Sequence, residues 1–374
     1  MRVRIPICRP VIGERELYYV TKAVEEGWIA KGRYISEFEQ KFANYCGCKY
    51  GVAVCNGTAA LHLALASLDV GKGDEVIIPA FTMAAVAFAV AYTGAKPVLV
   101  DADPETWCMS VDEVEWAITD RTQAIIPVHI YGHPCNMDEL LAIAEEHNLL
   151  IVEDCAEAHG AEVRGKKVGS FGDMGCFSFY TNKIITTGEG GMIVTDDRSL
   201  AFRARYLGDM AFEPEPELRF FHQEIGYNYR LTNLQAALGL AQLERIESFI
   251  KARRRNAELY TELLAEIDGI TLPVEEKWAK NVYWMYGILI EDDFGISRDK
   301  LMLRLAEKGI ETRPFFTPMH QLPCFRSRGV FENARYPVAE GLGRRGLLLP
   351  SSSDLTPEEI EYVVNAIKEA RKYS

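Results

Sequence analysis

Short β-branched runs alternate with segments of helical periodicity between residues 52 and 195. The apolar runs lie at 76–78, 97–100, 124–128, 149–154 and 191–195. The helical patterns lie at about 58–68, 83–93, 111–118 and 137–147. This alternation is typical of βαβ units, whose helices cover both faces of a mostly parallel sheet. Because ligands bind beyond the carboxyl ends of such strands, we expect a functional site at that edge.

Two helical patterns precede the alternating region. The first, over residues 13–27, predicts an amphipathic helix packed on the surface of the domain, with apolar residues at helical spacing: Leu17, Val20 and Val24. The second predicts another packed helix, with aromatic residues at the same spacing: Tyr34, Phe38 and Phe42.

The order of elements changes after about residue 200. A charged loop at 209–224 comes first, and we expect it to be mobile or to form an interface. Thr232 and Gln235 form a capping box that opens a helix over 232–249, and an arginine-rich helix starts near Lys251. The remaining elements are a strand at 282–290, a helix at 297–308, a strand at 310–316 and a helix at 356–372.

The length of the chain favours two domains. Its 374 residues exceed the roughly 100–200 residues expected of one domain. Together with the change of pattern, the length predicts a large α/β domain over residues 1–245 and a smaller C-terminal α+β domain over residues 246–374.

The composition excludes several classes of protein. A net charge of -13 argues against nucleic-acid binding, which needs a basic surface. No run approaches the roughly 18 apolar residues of a membrane span, and the start of the chain lacks the apolar core of a signal peptide. The nine cysteines are odd in number and scattered, which indicates neither disulfides nor a metal site. We therefore expect a cytoplasmic protein that binds a small molecule.

Two strand ends carry groups suited to a charged ligand. In the segment CNGTAALHLAL, Gly57 and Thr58 open a helix, whose free N–H groups and hydroxyl can hold a phosphate. An ordinary helix cap is the alternative. Asp154 ends an apolar strand in IVEDCAEAHG, where its carboxylate can pair with a cation, although a buried cap would also explain it.

The segment 176–197, CFSFYTNKIITTGEGGMIVTDD, holds one lysine between an apolar strand and a glycine-rich turn. Lys183 is expected at the end of the strand, where its amine can attack a carbonyl compound, although a solvated surface lysine is the alternative. Ser178, in the same strand, can add a hydroxyl to a phosphate site. In GYNYRLTN, Asn228 and Arg230 precede the capped helix, as ligand contacts or as ordinary turn and cap residues.

Several motifs resemble one family, the DegT-like nucleotide-sugar aminotransferases. These motifs are NGTAALHLAL, GDEVIIPAFT, TGAKPVLVD, VHIYGHP, EDCAEA, FSFYTNKIITTGEGG and GYNYRLTNLQAALGLAQLE, and they run almost end to end. The resemblance implies an α/β fold of the aspartate aminotransferase type, fold type I. It also implies dependence on pyridoxal 5′-phosphate (PLP), which cycles through pyridoxamine 5′-phosphate during turnover.

The resemblance assigns roles to individual residues. Lys183 would be the catalytic residue that forms the Schiff base with PLP, and Asp154 would pair with the pyridine nitrogen. Ala156 would pack on the ring, and Glu157 would lie near the phenolic oxygen. The expected phosphate contacts are Gly57, Thr58 and Ser178, joined by Asn228 of a second subunit, and Ala59 is a further expected cofactor contact. The expected active unit is therefore a homodimer with shared active sites.

Two positions depart from the pattern of many relatives. Met83 stands where an aromatic ring often covers the cofactor, and a thioether can still cover a π face. Glu157 stands where many relatives carry glutamine, although some closer relatives also have glutamate.

The implied reaction moves an amino group from glutamate to C4 of a 4-keto-6-deoxy nucleotide sugar, with GDP-4-keto-6-deoxymannose as the suggested substrate. Lys183 would move a proton between the substrate carbon and the cofactor C4′ carbon in both half-reactions. A UDP- or dTDP-linked sugar, or amination at C3, stays open. Residues suggested for substrate contacts are Trp28, Lys31, Arg230, Arg313 and His320.

Two other functions compete with the aminotransferase. A sugar dehydratase of the same family carries histidine in place of the Schiff-base lysine, and Lys183 argues against it. A catalytically silent sensor or binding protein with the same fold is the second, and the presence of Lys183, Asp154 and Ser178 counts against it.

Overall fold

The computed structural model describes residues 4–331 and 334–372. Its α-helices are α1 (Glu14–Glu25), α2 (Arg33–Cys46), α3 (Gly57–Ser67), α4 (Ala85–Thr93), α5 (Val111–Ala117), α6 (Met137–His147), α7 (Arg198–Gly208), α8 (Asn233–Leu243), α9 (Ile246–Leu264), α10 (Arg298–Glu307), α11 (Pro323–Arg326), α12 (Pro337–Arg345) and α13 (Pro357–Lys372). Its strands are β1 (Tyr50–Val54), β2 (Glu75–Pro79), β3 (Lys96–Val100), β4 (Thr122–Ile125), β5 (Leu150–Asp154), β6 (Glu162–Val163), β7 (Lys166–Lys167), β8 (Met174–Ser178), β9 (Gly191–Thr195), β10 (Ile270–Thr271), β11 (Ala279–Lys280), β12 (Tyr286–Ile290), β13 (Arg313–Pro314) and β14 (Gly346–Leu349).

The large sheet has seven strands in the order β1-β9-β8-β5-β4-β2-β3. Strands β3, β2, β4, β5 and β8 pair in parallel, whereas β9 runs antiparallel to both β8 and β1. Every residue of β2, β8 and β9 is buried, as expected of continuous apolar runs in a sheet covered on both faces. The predicted mostly parallel α/β sheet is confirmed.

The lysine of the segment 176–197 lies outside the strand. Strand β8 ends at Ser178, and Lys183 lies in the following turn, where its amide donates a hydrogen bond to the carbonyl of Tyr180 at 2.9 Å. The prediction that put Lys183 at the strand end was therefore wrong by five residues. The turn carries the chain back to β9, which explains why that strand is antiparallel.

A second, four-stranded antiparallel sheet has the order β10-β12-β14-β13. Its core includes large buried side chains from helices and strands: Tyr260, Tyr286, Phe294, Leu301 and Ile360. Ile5, near the start of the chain, is fully buried in this second core and forms a β-bridge with Ile310. The division of the chain at residue 245 stays a prediction.

Three details of the sequence-based reading were wrong. The helix predicted over 232–249 is two helices: α8 ends at Leu243, and α9 begins at Ile246. The two residues between them include neither glycine nor proline, so no local signal marks the break. The strand predicted over 310–316 shortens to β13, where Pro314 has no N–H to donate to a ladder. In α1 the buried residues are Glu16 and Ala23, and the Leu17 side chain is exposed.

Other expectations about this region are met or stay open. The aromatic residues of α2 are buried, as predicted: Tyr34, Phe38 and Phe42. The capping box of Thr232 and Gln235 is present at the start of α8. The segment 209–224 contains one short 3-10 turn and exposes Phe220 and Phe221, and its proposed role as a mobile loop or interface stays a prediction. Among the helices in the described parts of the chain, none combines the length and apolar character needed to span a bilayer.

Candidate active site

A cavity of about 630 Å³ opens where β5 and β8 end and α3 begins. The residues that line it come from segments far apart in sequence. Nine of them are predicted site residues: Gly57, Thr58, Ala59, Met83, Asp154, Ala156, Glu157, Ser178 and Lys183. The fold thus brings the predicted cofactor residues of one chain to a single site at the carboxyl edge of the sheet.

One end of the cavity is the N-terminus of α3. Asn56 caps the helix by accepting a hydrogen bond from the Ala59 amide at 2.8 Å. Gly57 and Thr58 occupy the first two helical positions, whose amides have no intrahelical acceptor and point outward. With the hydroxyl of Ser178 on the neighbouring strand, these groups form a site for a dianion at the positive end of the helix.

Gly57 keeps this end of the cavity compact. A Cβ atom at position 57 would lie 2.8 Å from Cβ of Ser178, closer than two carbon atoms can pack. We expect Gly57→Ala to destabilise the fold by about 1–3 kcal/mol and to weaken cofactor binding, since strand β8 or helix α3 must shift. Urea unfolding and PLP titration measure the two effects.

The matched control is Gly71→Ala. A Cβ atom there would have its nearest neighbour 3.7 Å away, so no shift is needed. We expect this variant to stay within about 0.5 kcal/mol of the parent in unfolding free energy. Equal behaviour of the two variants would contradict the packing argument.

Asp154, the last residue of β5, faces the cavity and is buried. Its Oδ1 accepts a hydrogen bond from the amide of Ala156 at 3.0 Å. Burial raises the pKa of Asp154, and the amide of Ala156 and the amine of Lys183 oppose this shift. A cationic partner in the cavity would favour the ionised carboxylate further.

Glu153, the preceding residue, does not line the cavity, because neighbouring side chains of a strand point to opposite faces. Its carboxylate accepts hydrogen bonds from the amides of Gly169, Phe171 and Gly172 and lies 3.1 Å from Nε2 of His129. These bonds hold the end of β5 in place.

His129, Glu153 and Cys155 are close enough for a metal ion among the described residues. The hydrogen bonds already made by Glu153 and His129 occupy most of the lone pairs that could bind a metal ion. Nδ1 of His129 accepts a hydrogen bond from the amide of Cys135 at 3.0 Å, so its Nε2 carries the proton that faces Glu153. We read the group as a structural network.

The amine of Lys183 lies inside the cavity, and its side chain is 10% exposed. Nζ is 3.8 Å from Oε1 of Glu157 and 3.7 Å from the ring centroid of Trp284. Burial lowers the pKa of Lys183, and Glu157 and Asp154 oppose that shift by favouring the ammonium. A lower pKa increases the fraction of neutral amine, the nucleophilic form.

Glu157 lies on the same side of the cavity as Lys183. Its Oε2 accepts a hydrogen bond from the amide of Tyr131 at 2.9 Å. Burial raises the pKa of Glu157 to about 7, against the effect of Lys183. Near neutral pH this carboxyl group is therefore divided between its two protonation states.

The raised pKa of Glu157 makes the stability of the cofactor-free protein depend on pH. Between about pH 4.5 and pH 7 the folded state keeps a proton that the unfolded state loses, so the unfolding free energy falls as pH rises. We expect Glu157→Gln, which cannot titrate, to lack this contribution of roughly 2–3 kcal/mol. Urea unfolding of both proteins at pH 4.5 and pH 7.5 measures it, and a difference that does not change with pH would count against the raised pKa.

The predicted residues Lys31, Asn228 and Arg230 lie together outside this cavity. Asp209 pairs with Arg230 at 2.7 Å and with Lys31 at 3.5 Å, and it forms a β-bridge with Asn228. Lys31, Asp209 and Arg230 line a smaller hollow of about 270 Å³. The fold therefore brings Lys31, Asn228 and Arg230 together, but none of them lines the cavity of its own chain.

The remaining predicted substrate residues lie apart from the cavity. Trp28 is exposed, and its carbonyl accepts a hydrogen bond from Asn233. Arg313 pairs with Glu311 at 2.6 Å. His320 is buried, and its Nε2 lies 3.2 Å from Glu340. Their substrate contacts stay predictions.

Sequence reasoning missed several residues of the cavity wall. Among them are Asn56, Thr82, Asn182, Tyr229, Trp284 and Phe316. Asn56, Thr82, Asn182 and Tyr229 lie inside motifs that the sequence singled out, so their neighbours were a usable signal. Trp284 and Phe316 come from the C-terminal part of the chain, and nothing in their local patterns indicates the cavity.

The residues present fit PLP. The outward amides of α3 suit a phosphate dianion, the carboxylate of Asp154 suits a protonated ring nitrogen, and Lys183 offers an amine of lowered pKa. The missing side chain at Gly57 lets the start of α3 pack close to Ser178, which brings the helix amides and the hydroxyl together. The arrangement therefore supports amine chemistry on a carbonyl compound.

Comparisons with known proteins agree with this chemistry. A family model described as the DegT/DnrJ/EryC1/StrS aminotransferase family matches residues 10–368. GDP-perosamine synthase of Escherichia coli O157:H7 is 43% identical over 98% of both chains, and that of Caulobacter vibrioides is 45% identical over 97% of both. A Streptococcus pneumoniae protein solved in its PLP form is 28% identical, with a TM-score of 0.92 over 99% of both chains.

Proposed function

The chain belongs to the DegT/DnrJ/EryC1/StrS aminotransferase family, and we propose that it transfers an amino group from glutamate to C4 of GDP-4-keto-6-deoxymannose, giving GDP-perosamine. It is a PLP-dependent transaminase. The observation that carries the proposal is the amine of Lys183, held in a cavity between the carboxylates and the N-terminus of α3. The similarity to GDP-perosamine synthases along nearly the whole chain supports the choice of sugar.

PLP, when bound, supplies an electron sink that withdraws charge from the reacting carbon. Gly57, Thr58 and Ser178 would bind its phosphate, and Ala156 would pack against its ring. Asp154 holds the positive charge of the ring nitrogen, because an adjacent carboxylate favours the protonated form.

Lys183 moves the protons in the proposed reaction. Burial lowers the pKa of its Nζ and so favours the neutral amine, which removes the α-carbon proton of glutamate as a general base. It would return this proton to the C4′ carbon of the cofactor, and in the second half-reaction it would move a proton the opposite way, from C4′ to C4 of the sugar. Glu157, 3.8 Å away, stabilises the amine while it carries the proton in each half-reaction.

A second copy of the chain completes the site in the proposal. The support is that Asn228 does not line the cavity of its own chain. Mixing Lys183→Ala with Asn228→Asp subunits therefore tests sharing: a mixed dimer has one site with both changes and one site with neither. We expect the mixture to regain up to about half the activity per mixed dimer, because the introduced carboxylate repels phosphate only in the already inactive site.

Purified mixed dimers, isolated by two different affinity tags, provide the measurement. The pure variants serve as controls, and light scattering gives the oligomeric state. An active monomer, or mixed dimers with no more activity than the two pure variants, would contradict a shared site.

A substrate panel tests the choice of sugar. GDP-, UDP- and dTDP-linked keto sugars are each offered with glutamate, and the products are identified by mass spectrometry and NMR. We expect the GDP-linked 4-keto sugar to be the preferred substrate and its amine to lie at C4. Preference for a UDP- or dTDP-linked sugar, or amination at C3, would overturn the choice. Failure to form any amino sugar or pyridoxamine phosphate would favour a silent binding protein.

A further inference from the structure

Trp284 contacts both the end of the Lys183 side chain and the turn that carries it. Nζ of Lys183 lies 3.7 Å from the centroid of the indole ring. The indole Nε1–H donates a hydrogen bond of 2.7 Å to the carbonyl of Asn182, the residue before the lysine. One side chain from a distant part of the sequence thus touches the amine and its backbone support.

Trp284 is itself held in place. It is 4% exposed, and its carbonyl accepts a hydrogen bond of 2.6 Å from Arg253. Its ring stacks near that of Tyr131, with centroids 6.3 Å apart and planes inclined by 30°. Because Tyr131 also donates its amide to Glu157, the two groups nearest the amine share a rigid support.

The position of the ring has a chemical consequence. The face of an indole attracts a cation, so it favours the ammonium form of a lysine placed over it. The same ring excludes water from one side of the amine, and its N–H fixes the orientation of the turn. A free lysine side chain has four rotatable bonds, and these contacts restrict where its nitrogen can lie.

We propose that Trp284 is a positioning residue for Lys183: its ring face locates the amine in the cavity, and its indole N–H fixes the turn that presents it. The inference rests on the proposed role of Lys183 as the reacting amine. It adds that the segment leading into β12, from the second sheet, sets the geometry of a group between β8 and β9.

Other charged or titratable groups also act on the amine. Asp154 ends β5, Glu157 follows that strand, and Cys8 lies in the N-terminal segment; all three favour the ammonium. His159 is buried, and its pKa is lowered to about 3 by burial and by Lys183. Of these groups, Glu157 is linked to Trp284 through Tyr131, and a variant that keeps a ring at position 284 keeps the contact with Tyr131.

The test uses the cofactor-free protein and measures the pKa of Lys183 directly. Trinitrobenzenesulfonate labels neutral amines, and peptide mass spectrometry follows the labelling of Lys183 as a function of pH. In Trp284→Met the flexible side chain refills part of the space, whereas the ring face is lost. We expect the pKa of Lys183 to fall by about 0.5–1 unit, the size of an ordinary cation–π contribution.

Trp284→Phe separates the two contacts. The phenyl ring keeps a face for the amine but has no N–H for the carbonyl of Asn182. We expect a smaller shift in pKa than for methionine, with amide hydrogen exchange at Lys183 at least about threefold faster because the turn is loosened. Since a ring is kept, this variant also provides the test if Trp284→Met does not fold.

Trp107→Met is the matched control. Trp107 is equally buried at 4% exposure but packs against Phe315, so its loss affects stability without touching the amine. An unchanged or raised pKa of Lys183 in Trp284→Met, or the same shift in the Trp107 variant, would overturn the role of the ring. Unchanged exchange at Lys183 in Trp284→Phe would overturn the role of the N–H. The labelling and exchange measurements use neither cofactor nor substrate, so they test the role of Trp284 independently of catalysis. A protein that shows no aminotransfer in a separate assay would count only against the proposed function.

Discussion

Replacing Lys183 with alanine is expected to lower turnover at least about 1,000-fold, within the range that general acid–base catalysis supplies. The variant has no amine in the cavity, so it lacks both the nucleophile for a carbonyl compound and the group that transfers a proton to C4 of the sugar. Lys183→Arg should be equally inactive, because a guanidinium does not deprotonate in proteins. Steady-state assays with glutamate and the keto sugar measure the loss.

The spectrum provides a second reading for the same variant. The parent protein loaded with PLP should be yellow, and borohydride should remove the colour and leave the cofactor attached to Lys183. Lys72→Ala, in an exposed lysine before β2, is the control and should keep both colour and turnover. A Lys183→Ala protein that keeps turnover and a borohydride-sensitive covalent link would contradict the assignment.

Replacing Asp154 with asparagine is expected to lower turnover by about 100–1,000-fold, the usual cost of removing one preorganised electrostatic contact. The carboxamide has nearly the same shape, and its oxygen can still accept the hydrogen bond from Ala156. It carries no negative charge, so it cannot hold the positive charge of a ring nitrogen.

Stability distinguishes this effect from misfolding. Burial raises the pKa of Asp154, which means that the charged carboxylate is unfavourable in the cofactor-free fold. We therefore expect the cofactor-free Asp154→Asn protein to unfold at the same temperature as the parent or higher. A loss of activity that merely follows a loss of thermal stability would argue against an electrostatic role.

Local patterns were sufficient to predict the large sheet and part of the cavity, whereas Ala156 and Glu157 were predicted only through the family resemblance. The apolar run 149–154 ends at Asp154, so the sequence alone places this carboxylate at the rim of the sheet. Ser178 was predicted within its strand, and the structure shows that the strand ends there. Gly57 and Thr58 followed from the helix start beside a strand. These predictions depend on short-range periodicity, which can be seen in the sequence without any knowledge of long-range contacts.

Long-range packing decided what the sequence could not predict. Trp284 lies 3.7 Å from an amine that is about 100 residues away in the chain, and its own segment reads only as an apolar strand. In α1, the Glu16 carboxylate is buried because Arg245 and Gln242 bond to it, and this partnership reverses the face expected from Leu17. Both outcomes depend on partners that no local pattern identifies.

The burial of Ile5 in the second core has a consequence for folding kinetics. Its partners lie about 300 residues later, where the amide of Glu311 donates to the carbonyl of Ile5 at 2.9 Å. During synthesis Ile5 therefore emerges long before the residues that cover it, and loop closure over such a distance slows folding. Ile5 can be buried in the second core only after translation has passed residue 310. Until then the N-terminal segment stays exposed, so chaperones can bind it and it can aggregate.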